Sequence, residues 1–188
     1  MPSIIDYPSV LRRLESEGLK CHYPNGGSFG FADGGQVRGW LGPEDESIRP
    51  EMRAIARRVG EPFESTLADW ALRAWQRILP GAVWVMPASH WSFELMHGNQ
   101  QWLPELLGKA GIDSGLLIGR TDAAAIEFLP AEGERFRVFL EGLLHGLTGS
   151  DFVLSFPGRR TVCTVHHHKQ LWWVSMDRLV IRELDSIQ

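Results

Sequence analysis

The chain has 188 residues, 44% of them hydrophobic and 22% charged, with a formal net charge of −4 and a pI near 6.0. Such a length supports one domain with a substantial core, taken here as residues 1–188, and the composition excludes a disordered chain. No apolar run approaches the length of a bilayer span, so no membrane partner is expected. The acidic balance argues against nucleic acid, whose phosphates require a concentrated basic surface.

The first residues include Pro2, Asp6 and Pro8, which interrupt any secretory apolar segment. Cys21 and Cys163 lie far apart without metal-type spacing, as reduced thiols would, and the expected location is cytoplasmic. Ser9 to Glu17 carries Val10, Leu11 and Leu14 ahead of Gly18, a short helix closed by its glycine. Ser28 to Phe31 and Val37 to Leu41 flank Ala32-Asp33-Gly34-Gly35, the pattern of a β-hairpin. Gly26, Gly27, Gly34 and Gly35 do not follow a phosphate-loop pattern and read as turns.

Pro50 to Val59 repeats Met52, Ile55, Ala56 and Val59 before Gly60, which predicts a helix with a basic outer face. Thr66 to Leu79 predicts a second, with Trp70 and Trp75 on its apolar stripe. From Ala82 the period changes. Val83 to Met86 is a continuous apolar run, and Trp91, Phe93 and Leu95 then alternate with His90, Ser92 and Glu94 as in a strand. A helix would group His90, Glu94 and His97 instead, so these residues share a face either way.

Asn99 caps a helix through Leu103, Leu106, Leu107 and Ala110, with Pro104 in its first turn. Leu116 to Gly119 and Ala123 to Leu129 read as strands, and Glu132 to Thr148 as a helix. The remainder predicts a meander: Asp151 to Phe156, a Pro157-Gly158 turn, Thr161 to His167, Leu171 to Met176 and a fourth strand over Leu179 to Leu184. The fold class is therefore α+β, a largely antiparallel sheet with a C-terminal β-meander and about five helices packed mainly on one face.

Chemically the densest stretch is Arg159 to Asp177, which holds three of the seven histidines, one of the two cysteines and two of the eight tryptophans. Strand alternation separates Val162, Thr164, His166 and His168 from Cys163, Val165 and His167. An even-numbered loop near Lys169 and Gln170 keeps Ser175 off the core face. It puts Cys163 and Val165 with Trp172, Val174 and Met176, and aims His166 and His168 outward beside Trp173.

The leading functional reading is a soluble binding or interaction domain. Its His/Trp/Arg-lined sheet face, His166, His168, Trp173, Arg159, Arg160 and Lys169, would take a protein partner, a second copy or a small ligand. The alternative is a metal-dependent hydrolase in which His166 and His168 hold a divalent ion such as zinc with a third ligand from His90, Glu94 or His97. A metal-free variant uses His166, His167 or His168 as acid or base, with Arg159, Arg160 or Lys169 on an anionic substrate. Apart from that metal, no cofactor is implied.

Overall fold

The computed structural model describes residues 1–22, 28–33, 36–40, 55–60 and 63–187, with side chains described outside residues 19–58. Among the described residues, ten strands and seven helices give the expected α+β class. In order they are β1 (Ser3–Asp6), α1 (Tyr7–Ser16), β2 (Leu19–His22), β3 (Ser28–Asp33), β4 (Gln36–Trp40), β5 (Ile55–Gly60), α2 (Glu64–Ile78), β6 (Val83–Pro87) and α3 (Trp91–Phe93). After a π-helical turn at Glu94–Gly98 come α4 (Leu103–Lys109), α5 (Ser114–Ile118), β7 (Ala123–Phe128), α6 (Gly133–Gly146), β8 (Phe152–Phe156), β9 (Thr161–His166), β10 (Gln170–Ser175) and α7 (Arg178–Ser186).

Seven strands form one antiparallel sheet in the order β1-β7-β6-β8-β9-β10-β5, and β2-β3-β4 form a separate antiparallel sheet. The hairpin expected around Asp33 is present as β3 and β4, while Gly26, Gly27, Gly34 and Gly35 lie outside the described residues. Short hairpin connections make β8, β9 and β10 sequential neighbours. The β8–β9 turn has Gly158 at φ 88 and an Arg159 N–H donating to the Phe156 carbonyl, as Pro-Gly turns require.

The two faces of the large sheet bury different sets. One carries Phe152, Leu154, Phe156, Cys163, Val165, Leu171 and Trp173 against α2, α4, α6 and α7. The other carries Val153, Val162 and Val174 with Val10 and Leu14 of α1. Helices thus pack mainly on one face, as expected. Caps define several of their starts: Asp6 accepts from Ser9 N at 2.7 Å, Asp113 from Gly115 N and Asp177 from Leu179 N, each at 2.8 Å. Among the described residues, no helix is long and apolar enough to cross a membrane.

Four expected elements differ in type, and β1 and β2 went unread. Residues 50–54 of the expected Pro50–Val59 helix lie outside the described residues, and residues 55–59 belong to β5, because the open edge of β10 supplies a six-residue ladder that a short isolated helix cannot match. Trp91 to Leu95 is helical rather than extended, since the His90 ring accepts the Phe93 N–H at 3.1 Å and caps the turn. Leu116 to Gly119 belongs to α5 and its flank, where only Leu117 is buried among Leu116, Leu117 and Ile118. Leu179 to Leu184 belongs to α7, whose buried residues are Val180, Ile181 and Leu184.

Candidate functional site

The geometry of the dense stretch follows from how β9 turns into β10. Gln170 pairs with His166 and Ser175 with Thr161, leaving His167, His168 and Lys169 as a three-residue loop. The Lys169 N–H donates to the His166 carbonyl at 2.9 Å and Lys169 lies at φ 58, the left-handed residue that such loops demand. The loop is therefore odd, not even.

That single residue exchanges the faces of β10. Trp173 sits opposite Cys163 and is fully buried, stacked on Phe156 at 5.4 Å and edge-on to Trp70 at 5.6 Å. Trp172 is the tryptophan beside His166, with ring centroids 6.5 Å apart. The expected obstacle to this register was Ser175 on the core face. Its hydroxyl lies 2.8 Å from that of Thr161 and accepts the Asp177 N–H at 3.0 Å, so the buried polar atoms satisfy one another.

The sheet face proposed for binding is consequently divided. Trp173 belongs to the core. Arg159 and Arg160 are exposed at the β8–β9 turn, at the far end of the six-residue β9 from His166, a separation of roughly 17–20 Å at strand rise. They cannot hold a small anion that also meets the histidines. Lys169 stays beside the histidines but pairs with Glu64.

The three histidines do come together. His166 ends β9 and is 1% exposed, His167 is half-buried in the turn, and His168 is exposed. Ring centroids are 4.2 Å apart for His166 and His167, 4.3 Å for His167 and His168, and 4.8 Å for His166 and His168. One ligand atom from each lies within 4.8 Å of the others, the only such set of three metal-ligating side chains among the described residues. The third member of this set is thus His167, which alternation places on the opposite face; in the turn, alternation no longer applies.

Asp151 organises this cluster. One carboxylate oxygen accepts from the His167 backbone N–H at 3.0 Å and meets His167 Nδ1 at 2.8 Å, and the other is 3.8 Å from His166 Nε2. An ionised carboxylate only accepts, so in the neutral ring the His167 proton sits on Nδ1 and Nε2 presents a lone pair. His166 Nδ1 accepts the His168 N–H at 3.1 Å, which places the proton of neutral His166 on Nε2, toward Asp151. Sequence reading missed Asp151 as a site residue. Counting back through the Pro157-Gly158 hairpin, which pairs Phe152 with Val165, would have set it opposite His166.

The other expected metal ligands serve different purposes. His90 caps the helical turn after it, and His97 is exposed with its ring 5.6 Å from that of Phe93. Glu94 is fully buried, and its carboxylate accepts hydrogen bonds from Ser89 and Asn99 at 2.5 Å each and from Ser150 at 3.0 Å. Cys163 is also fully buried, and desolvation raises its thiol well above the usual range, which removes it as a nucleophile. In comparisons with known proteins, no family model matches the chain, and no curated protein or solved structure matches it.

Proposed function

We propose that the protein binds a divalent transition-metal ion, zinc or one of similar preference, through His166, His167 and His168. The observation that carries this reading is the convergence of three imidazoles around a turn with Asp151 bonded to His167 Nδ1. Metal-bound histidines characteristically donate their second ring nitrogen to a carboxylate, which fixes the tautomer and raises ligand basicity. Borderline imidazole donors suit zinc, copper or nickel over calcium or magnesium.

Zn–N bonds of about 2.1 Å in a tetrahedron put ligand nitrogens roughly 3.4 Å apart, and one nitrogen from each ring already lies within 4.8 Å of the others, so closure on an ion takes side-chain movements on the order of 1 Å. Coordination through His166 Nε2 moves its proton to Nδ1 and gives up the bond from the His168 N–H, about 1 kcal/mol. That is small beside the affinity of structural zinc sites. Three protein ligands leave a fourth position for water, which a bound metal would make available for hydrolysis in a cytoplasmic enzyme.

A second reading draws on the Asp151–His167 bond alone: a carboxylate-oriented imidazole with a free Nε2 is a general base without any metal. One experiment separates the two. Isothermal titration of tag-free protein with zinc should give one ion per chain. His167→Ala should abolish binding, and Asp151→Asn should weaken it by about 10–100-fold. Absence of stoichiometric binding to the unaltered protein rejects the metal centre and leaves the acid–base reading.

A further inference from the structure

We infer that Glu94 is a positioning residue for the histidine cluster, acting through Ser150 on Asp151 and thereby on the tautomer of His167. The inference rests on the functional reading only in taking the histidine cluster as the site; the contact it explains exists without metal.

A fully buried carboxylate is expensive unless it is well satisfied, and among the described residues Glu94 has no cationic partner. Its compensation comes entirely from neutral donors drawn from three chain segments: Ser89 after β6, Asn99 after the π-helical turn, and Ser150 before β8. Asn99 also donates to Ser150 Oγ at 3.0 Å, which closes a ring of bonds over Ser150.

Local backbone features serve this arrangement. The Asn99 N–H donates to the Glu94 carbonyl at 2.6 Å, five residues back, so the wider π turn brings the Asn99 side chain next to the Glu94 carboxylate. At Gly98 an added Cβ would lie 2.7 Å from Glu94 Oε2, so a larger residue there would displace the carboxylate from its present position. A helix that merely covered the sheet would require neither feature.

Ser150 is the last tie before Asp151. The Asp151 carbonyl accepts from the Ala88 N–H at 2.8 Å, which fixes the main chain against β6, while Glu94 holds the preceding side chain. Two adjacent residues are thus gripped from the β6 side, and the Asp151 carboxylate is aimed across β8 at His167. Bonds to a carboxylate are roughly twice as strong as neutral ones, which suits a grip that must not slip.

The test reads the His167 ring in metal-free protein by nitrogen-15 NMR, together with zinc affinity. Ser150→Ala and Glu94→Ala should each shift His167 from the Nδ1–H tautomer toward a mixture. Glu94→Gln, which can still accept from Asn99 and Ser150, should retain the original tautomer. Zinc affinity should fall by about tenfold in the two alanine variants and little in Glu94→Gln. An unchanged tautomer in folded Ser150→Ala overturns the inference, even if Glu94→Ala does not fold. So does an equal loss in Glu94→Gln and Glu94→Ala. Failure of the unaltered protein to bind zinc would remove the metal reading while leaving the tautomer measurement decisive here.

Discussion

The hydroxyls of Thr161 and Ser175 lie 2.8 Å apart across the β9–β10 ladder, both residues completely buried on the helix-covered face of the sheet. Thr161 donates to the Arg159 carbonyl at 2.9 Å, so the shared proton comes from Ser175, which in turn accepts the Asp177 N–H. Ser175→Ala removes two bonds and leaves buried groups without their partner. It should destabilise the protein by about 1–3 kcal/mol in chemical denaturation. A loss within error of zero would mean that the hydroxyl pair does not support this register.

The two adjacent tryptophans provide a sharper reading of the same register. Trp173 fills the core against Phe156 and Trp70, whereas Trp172 is half-buried on the other face. Trp173→Ala should cost about 3–5 kcal/mol and Trp172→Ala distinctly less. Equal costs, or the reverse order, would return β10 to the even-loop register.

Lys169 occupies the left-handed region at φ 58, where a Cβ is unfavourable. Lys169→Gly should therefore raise the denaturation midpoint, and Lys169→Val should lower it, with a spread of roughly 1–2 kcal/mol between them. The exposed pair with Glu64 adds little to this difference. Finding valine as stable as glycine would exclude the left-handed turn.

Cys163 makes a pH prediction. Desolvation raises its thiol in the folded state, so above the unfolded value of about 8.5 the unfolded chain releases a proton that the folded chain retains. The unfolded state then binds fewer protons, and this residue's contribution to stability falls as pH rises past that point. Cys163→Ala or Cys163→Val should flatten the alkaline decline measured by denaturation between pH 8 and 10. Alkylation at Cys163, followed by peptide mapping, should proceed only as fast as the chain opens.

Much of the architecture was legible in local patterns. The helices over Ser9–Glu17, Thr66–Leu79 and Glu132–Thr148, the stripe Leu103–Ala110, and the strands Asp151–Phe156, Thr161–His167 and Leu171–Met176 match α1, α2, α6, α4, β8, β9 and β10 closely, because their periodicity coincides with real burial. Asn99 does not cap α4, whose N-cap is Trp102; it closes the π turn and its side chain bonds Glu94 and Ser150. Residues 55–60 and Leu179–Leu184 did not match, for opposite reasons. The former took the type its ladder partner imposed, and the latter took a helix set by the Asp177 cap.

For the site, sequence alone determined that three histidines, a buried-type cysteine and two tryptophans share one hairpin, and that Cys163 and Val165 face the core. It could not determine which tryptophan joins them. Strand alternation carries a face assignment only as far as the turn, and one residue in the loop reverses everything beyond it. Tertiary structure settled that question by pairing Thr161 with Ser175, a compensation between residues 14 apart that no apolar pattern reveals. It also brought Asp151 to His167 and Glu94 to Ser150, because contacts made across neighbouring strands and a π turn depend on register rather than on the spacing of residue types.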